Sequence, residues 1–194
     1  MSMKIIADMI TFSRLLLSIC LIWFGIEFGV LALPWVVWIM ILSWTGDSLD
    51  GTLSRHSRAK VQTWVGAHDF QFDMIIAGAL LFYLAFTGFV PLPGAIFYLL
   101  IWGVVFWRFG LNSTLGKLFQ APVYGWFIVI AIHNAPSSGL WILVWLVVAI
   151  VLTWPRFPDQ VIPEFVDGVV EMWQRLPSHL RKGNAADQSK NSTT

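Results

Sequence analysis

The sequence predicts an all-α integral membrane protein with six transmembrane helices and cytoplasmic N- and C-termini. Three observations carry that expectation. Of the 194 residues, 57% are hydrophobic and only 12% are charged, about half the charge of an ordinary soluble domain. Residues 74–107 hold no charged side chain, and residues 118–155 hold none apart from His133. Each run is too long for one span of about 20 residues and suits two shorter ones. All lysines and arginines, finally, fall on one side of the layout that results.

The first long apolar stretch divides around "IEFGVLALP" at 26–34, and the later runs divide at "TGFVPLPG" (87–94) and "HNAPSSG" (133–139). These are turn-forming clusters. The spans then lie near 9–27, 34–53, 65–86, 94–109, 118–133 and 139–154. They must be helices, because a lipid-exposed backbone has to satisfy its own hydrogen bonds. The alternating pattern of a membrane β-barrel is absent. Arg14 interrupts the first run and no small-residue cleavage pattern follows, so it reads as a span and not a signal peptide. The six spans make one domain over 1–157. After Trp154 the chain turns polar. Residues 158–180, with "PEFVDGVVEMWQRL", suit an amphipathic segment lying on the membrane surface, and 181–194 read as a disordered polar tail.

With the N-terminus inside, the inner segments hold Lys4, Arg14, Arg55, Arg58, Lys60, Arg108, Lys117, Arg156, Arg175, Arg181, Lys182 and Lys190. The outer turns hold none, a one-sided arrangement that sets orientation. A net charge of +1 says nothing about nucleic acid, and no nucleic-acid partner is expected. The single Cys20 excludes an intramolecular disulfide and a cysteine-based metal site. The tryptophans suit interfacial belts and packing.

Against this apolar background stands "TGDSLDGTLSRHSRAKVQTWVGAHDFQFD" at 45–73. Asp47 and Asp50, three apart, share a face of the second helix, and Asp69 and Asp73, four apart, share a face of the third. The basic stretch "RHSRAK" joins these helices, making them antiparallel neighbours with both acid pairs at similar depth. The plain alternative is a set of solvated acids paired with Arg55 and Arg58. Burying four carboxylates costs at least several kcal/mol each, so burial demands a counter-cation. All-oxygen donors suit magnesium, manganese or calcium rather than zinc, with magnesium or manganese expected, and four aspartates suffice for two ions. Such a pair clamps the attacking and leaving oxygens of a phosphoryl displacement. Gly51 permits close backbone approach, and Arg55, one turn on, can hold a phosphate oxygen.

This stretch resembles the signature of the CDP-alcohol phosphotransferases, D-x-x-D-G-x-x-A-R followed after a spacer by G-x-x-x-D-x-x-x-D. Asp47, Asp50, Gly51, Arg55, Asp69 and Asp73 stand at matching places. Ser54 replaces the alanine. Val65 stands where the family has glycine, with Gly66 one place late, and the spacer is one residue longer. "DMITFSRLLL" at 8–17 is similar to the family's opening N-x-I-T-x-x-R-x-L, with Asp8 for asparagine. The resemblance implies transfer of a substituted phosphate from a CDP-alcohol, with CDP-diacylglycerol the usual donor, to a small alcohol, releasing CMP. It implies that Asp47, Asp50 and Asp69 bind metal, that Asp73 is the general base beside the ions, and that Gly51, Ser54 and Arg55 contact the CDP moiety. It further implies a role in phospholipid biosynthesis at the cytoplasmic face of a bacterial inner membrane, and leaves a homodimer open.

Arg108 and Lys117 lie at the inner surface, where family members with anionic acceptors bind the acceptor phosphate. "GKLFQ" at 116–120 is similar in its first residues to the G-K-x-K-T of phosphatidylglycerophosphate synthases. Glycerol 3-phosphate is therefore the leading acceptor, with serine and inositol phosphate as alternatives; positive-inside anchoring is the plain reading of both residues. "HD" at 68–69 would suit a metal phosphohydrolase, but that soluble fold needs several histidines. A divalent-cation channel or transporter is the non-enzyme alternative. It needs acids along a path to the outer side, where only Glu27 is available.

Overall fold

The helices form where the sequence is apolar, and α1, α3, α4 and α5 end beside glycine or proline. The computed structural model describes residues 3–56, 69–153 and 170, with side chains over 9–49, 70–152 and 170. Among the described residues every regular element is helical: α1 (Met3–Glu27), a short 3-10 helix (Gly29–Ala32), α2 (Leu33–His56), α3 (Asp69–Phe86), α4 (Leu92–Phe109), α5 (Ser113–Asn134) and α6 (Pro136–Thr153). Four stretches are long and apolar enough to cross a membrane, Met9–Glu27, Gly29–Leu49, Leu92–Phe109 and Ser113–Asn134, while Phe70–Phe86 and Pro136–Leu152 are apolar but shorter. Large apolar side chains face outward; Leu31 and Trp107 are each 86% exposed. A soluble domain does not tolerate so extensive an apolar surface, whereas lipid does.

The chain divides into two compact units, Met1–Val148 and Ala149–Thr194. The second contains the end of α6 and Val170, which is helical. Apart from Val170, the expected surface segment at 158–180 and the tail at 181–194 lie outside the described residues.

Within the first unit, α3 packs against α1, α4 and α5, and α2 packs against α1 and α5. The central seam is built from a 3-4 spacing repeated on three helices. On α1 the buried positions are Thr11, Arg14, Ser18, Leu21 and Gly25. On α2 Leu33, Val36, Met40 and Ser43 are buried, and Asp47 stands at the next position of that stripe; on α3 Ala77, Leu80 and Leu84 extend a stripe headed by Asp73. That spacing keeps one narrow face toward a neighbouring helix. Arg14, Asp47 and Asp73 are therefore seam positions by geometry, although their chemistry is unlike that of the residues above them.

Small residues set the close approaches. A Cβ on Gly25 would lie 3.4 Å from Tyr83 Cδ2, and one on Gly46 would lie 3.1 Å from Ile10 Cγ2, so α1 meets α3 and α2 with little between. One on Gly139 would fall 2.6 Å from the Ala131 carbonyl oxygen, which lets α6 leave α5 after the single residue Ala135. The fifth helix begins at Ser113 and not near 118. Its cap explains this: the Asn112 side chain accepts from the Leu115 amide at 2.8 Å, satisfying a donor that the first turn leaves open. Gly110, with φ of 76°, ends α4 just before.

Candidate active site

α2 descends toward the end of the unit from which α3 and α5 rise and at which α1 begins. At that end Arg14 of α1 is 1% exposed, and its guanidinium meets two carboxylates from two other helices. One terminal nitrogen donates to Asp47 Oδ1 at 3.0 Å, and the other donates to Asp73 Oδ1. A planar guanidinium presents a fixed fork of donors, which suits it to this bridging. Asp47 is 58% exposed and Asp73 28%. The guanidinium is thus the floor of the cluster, and the carboxylates lie between it and open space.

Neighbouring contacts fix the supporting helices. Ser18 Oγ donates to the Arg14 carbonyl at 2.8 Å. Trp44, one turn before Asp47, packs edge-on against Tyr124 and Phe127 of α5, with centroids 5.5 and 6.4 Å away. It also lies 5.5 Å from the Trp145 ring of α6. Trp145 Nε1 donates to Thr45 Oγ1 at 2.8 Å, and Thr45 Oγ1 donates in turn to the Ile41 carbonyl. Tyr124 stands within electrostatic range of Asp73, Asp47 and Arg14. Aromatic packing thereby holds the end of α2 against α5 and α6.

The sequence-predicted residues divide into three groups. Asp47 and Asp73 are brought together. Asp50, Gly51, Ser54 and Arg55 belong to α2 and Asp69 begins α3, but their side chains lie outside the described residues. Arg108 and Lys117 stand at the same end and are exposed. Arg108 lies over the ring of its own neighbour Phe109, 5.4 Å from the centroid, and among the described residues neither cation forms an ion pair. The helix carrying Lys117 nonetheless sits tightly on the start of α3. A Cβ on Gly116 would fall 2.0 Å from Phe70 Cε2, so the glycine of "GKLFQ" is a packing residue. Lys117, about 100° further round the helix, points away from that contact.

Arg14 stands in the opening "DMITFSRLLL" stretch, but the sequence reading gives it no part in the aspartate cluster. Its signal was present: a lone arginine within an apolar span, flanked at helical spacing by Thr11 and Ser18, needs a partner. It also alters the charge argument. The chain itself supplies one cation to the aspartate cluster, so the carboxylates do not rely wholly on a bound ion. An apolar cavity of about 230 Å³ between α3, α4 and α5, lined by residues including Leu84, Tyr98, Val123 and Trp126, contains none of these groups. No family model matches the chain, and no curated protein or solved structure matches it.

Proposed function

We propose that the chain is a CDP-alcohol phosphotransferase acting at the cytoplasmic face of a membrane. The observation that supports this most is the meeting of Asp47 and Asp73, the first and last acids of the motif, on separate helices at one open cluster. The donor chemistry suits a hard divalent ion: oxygen only, carboxylate, and partly exposed. Magnesium or manganese, held by Asp47, Asp50, Asp69 and Asp73, would neutralise the diphosphate and the departing CMP. Asp73 takes the proton from the acceptor hydroxyl. The new bond joins that oxygen to the phosphorus carrying the lipid alcohol, and the phosphorus–oxygen bond to CMP breaks. Gly51, Ser54 and Arg55 contact the CDP moiety. Arg108 and Lys117 favour an anionic acceptor, with glycerol 3-phosphate first among candidates.

In this reading all six helices span the membrane, with both termini inside. The absence of an acidic path toward the far end, beyond Glu27, disfavours a cation channel. CMP release from CDP-diacylglycerol and magnesium, measured against a panel of alcohols, tests the reaction. Glycerol 3-phosphate should support release, and chelation should abolish it reversibly. Silence with every CDP-alcohol and acceptor would sink the proposal. In a Cys20→Ala background, cysteines at Leu111 and Ser137 should label from opposite sides, Leu111 from the cytoplasm. Labelling of both from one side would overturn the topology.

A further inference from the structure

We infer that Arg14 is a positioning residue for the aspartate cluster, an assignment that rests on the phosphotransferase reading of that cluster. Three observations carry it. The guanidinium is the most deeply buried charged group described, at 1% exposure, and it lies behind the carboxylates it holds. It uses both terminal nitrogens on acids of different helices, Asp47 of α2 and Asp73 of α3. Its own helix is fixed against both neighbours by close contacts at Gly46 and Gly25. A side chain so placed cannot meet substrate from the open side. It can set the distance and rotation between a metal-binding acid and the acid that takes the acceptor's proton. An ionised carboxylate offers about four lone-pair positions, so a bond from the guanidinium is compatible with further work by the same group. Partners behind ligands hold those ligands in register, and their loss typically costs about 10–100-fold in metal affinity or activity.

The alternative is that Arg14 serves only as a counter-charge. Arg14→Lys separates the two, because lysine keeps the charge and loses the fork that reaches both acids. Positioning predicts that CMP release falls about 10–100-fold and that Mn²⁺ binding, followed by electron paramagnetic resonance on purified protein, weakens by a similar factor. Near wild-type values for both would overturn the inference. Arg14→Ala prepared with methylguanidinium is the second arm: recovery of Mn²⁺ binding with methylguanidinium but not methylammonium supports positioning, and equal recovery with both overturns it. Failure of both variants to fold, methylguanidinium included, would assign Arg14 to structure alone and also overturn it. If wild-type protein binds Mn²⁺ but releases no CMP, the reaction reading fails while the Mn²⁺ arms still judge Arg14. A wild type that does neither overturns both.

Discussion

The two ends of the central seam use the same spacing for opposite purposes. At one end Gly25 of α1 accepts the ring of Tyr83 from α3, and Tyr83 donates its hydroxyl to the Gly29 carbonyl at 3.1 Å. At the other, on the same helices, Arg14 meets Asp73 and Asp47. The first end is closed, with Tyr83, Leu21 and Leu84 at 0% exposure. The second is open, and its charges lie where another leucine or glycine would pack as well. Replacing buried ion pairs with apolar residues is often neutral or stabilising. Stability therefore does not explain the charged end. That contrast is the physical ground for reading it as functional, and each experiment below presses on it.

The largest expected effect concerns asymmetry within the charged end. Asp47→Asn/Asp73→Asn removes both carboxylates bonded to a guanidinium that water barely reaches, which should cost about 3–5 kcal/mol of folding stability. Arg14→Gln leaves acids that are 58% and 28% exposed, which water can solvate in part. Its cost should be smaller, about 1–2 kcal/mol after allowing for that screening. Equilibrium unfolding in mixed micelles compares the two. An equal or reversed order would show that the guanidinium is not the buried member.

Next comes turnover. Asp73→Asn keeps the shape of the side chain and one bond to Arg14 while deleting the base, so CMP release should drop at least about a hundredfold. Mn²⁺ binding should weaken but persist, because Asp47, Asp50 and Asp69 keep their carboxylates. A variant with near wild-type turnover would remove Asp73 from the base role and leave the charged end without a stated task.

Much of this architecture was legible in the sequence, for local reasons. Charge-free runs and Gly/Pro clusters place six helices close to where they occur. The apolar run alone puts the start of α5 too late, because the Asn112 cap extends the helix back to Ser113. Arg14 reads from the sequence as an interruption of α1, an inner-side basic residue and the arginine of the "DMITFSRLLL" stretch, but not as a partner of the aspartates. Its partners lie 33 and 59 residues away, and spacing within one helix cannot say which helix faces it. The same limit applied to Gly116, which reads as part of a phosphate-binding stretch but whose face is filled by Phe70.

The Lys117 side chain offers a smaller and more selective test. It is exposed at the charged end, and a phosphate on the acceptor would gain a charge-assisted bond from it. Lys117→Ala should raise the acceptor KM about tenfold and leave the donor KM nearly unchanged. A uniform rise in both would show a general field in place of an acceptor contact. A neutral alcohol used equally well by both proteins would remove the anionic acceptor and leave the phosphotransferase proposal standing.

The smallest expected effect lies at the closed end. Tyr83→Phe retains the ring against Gly25 and deletes only the hydroxyl that bonds the Gly29 carbonyl. A single neutral hydrogen bond contributes about 0.5–1.5 kcal/mol net, and Gly29, at φ of 55°, lies in a turn where water can partly replace it. Unfolding should therefore shift by about 1 kcal/mol. CMP release should not change, because a contact that only closes the seam has no part in orienting Asp47 or Asp73. If Tyr83→Phe instead lowered turnover as Arg14→Lys is expected to, the seam would be acting as one rigid unit. The separation of a packing end from a chemical end would then fail.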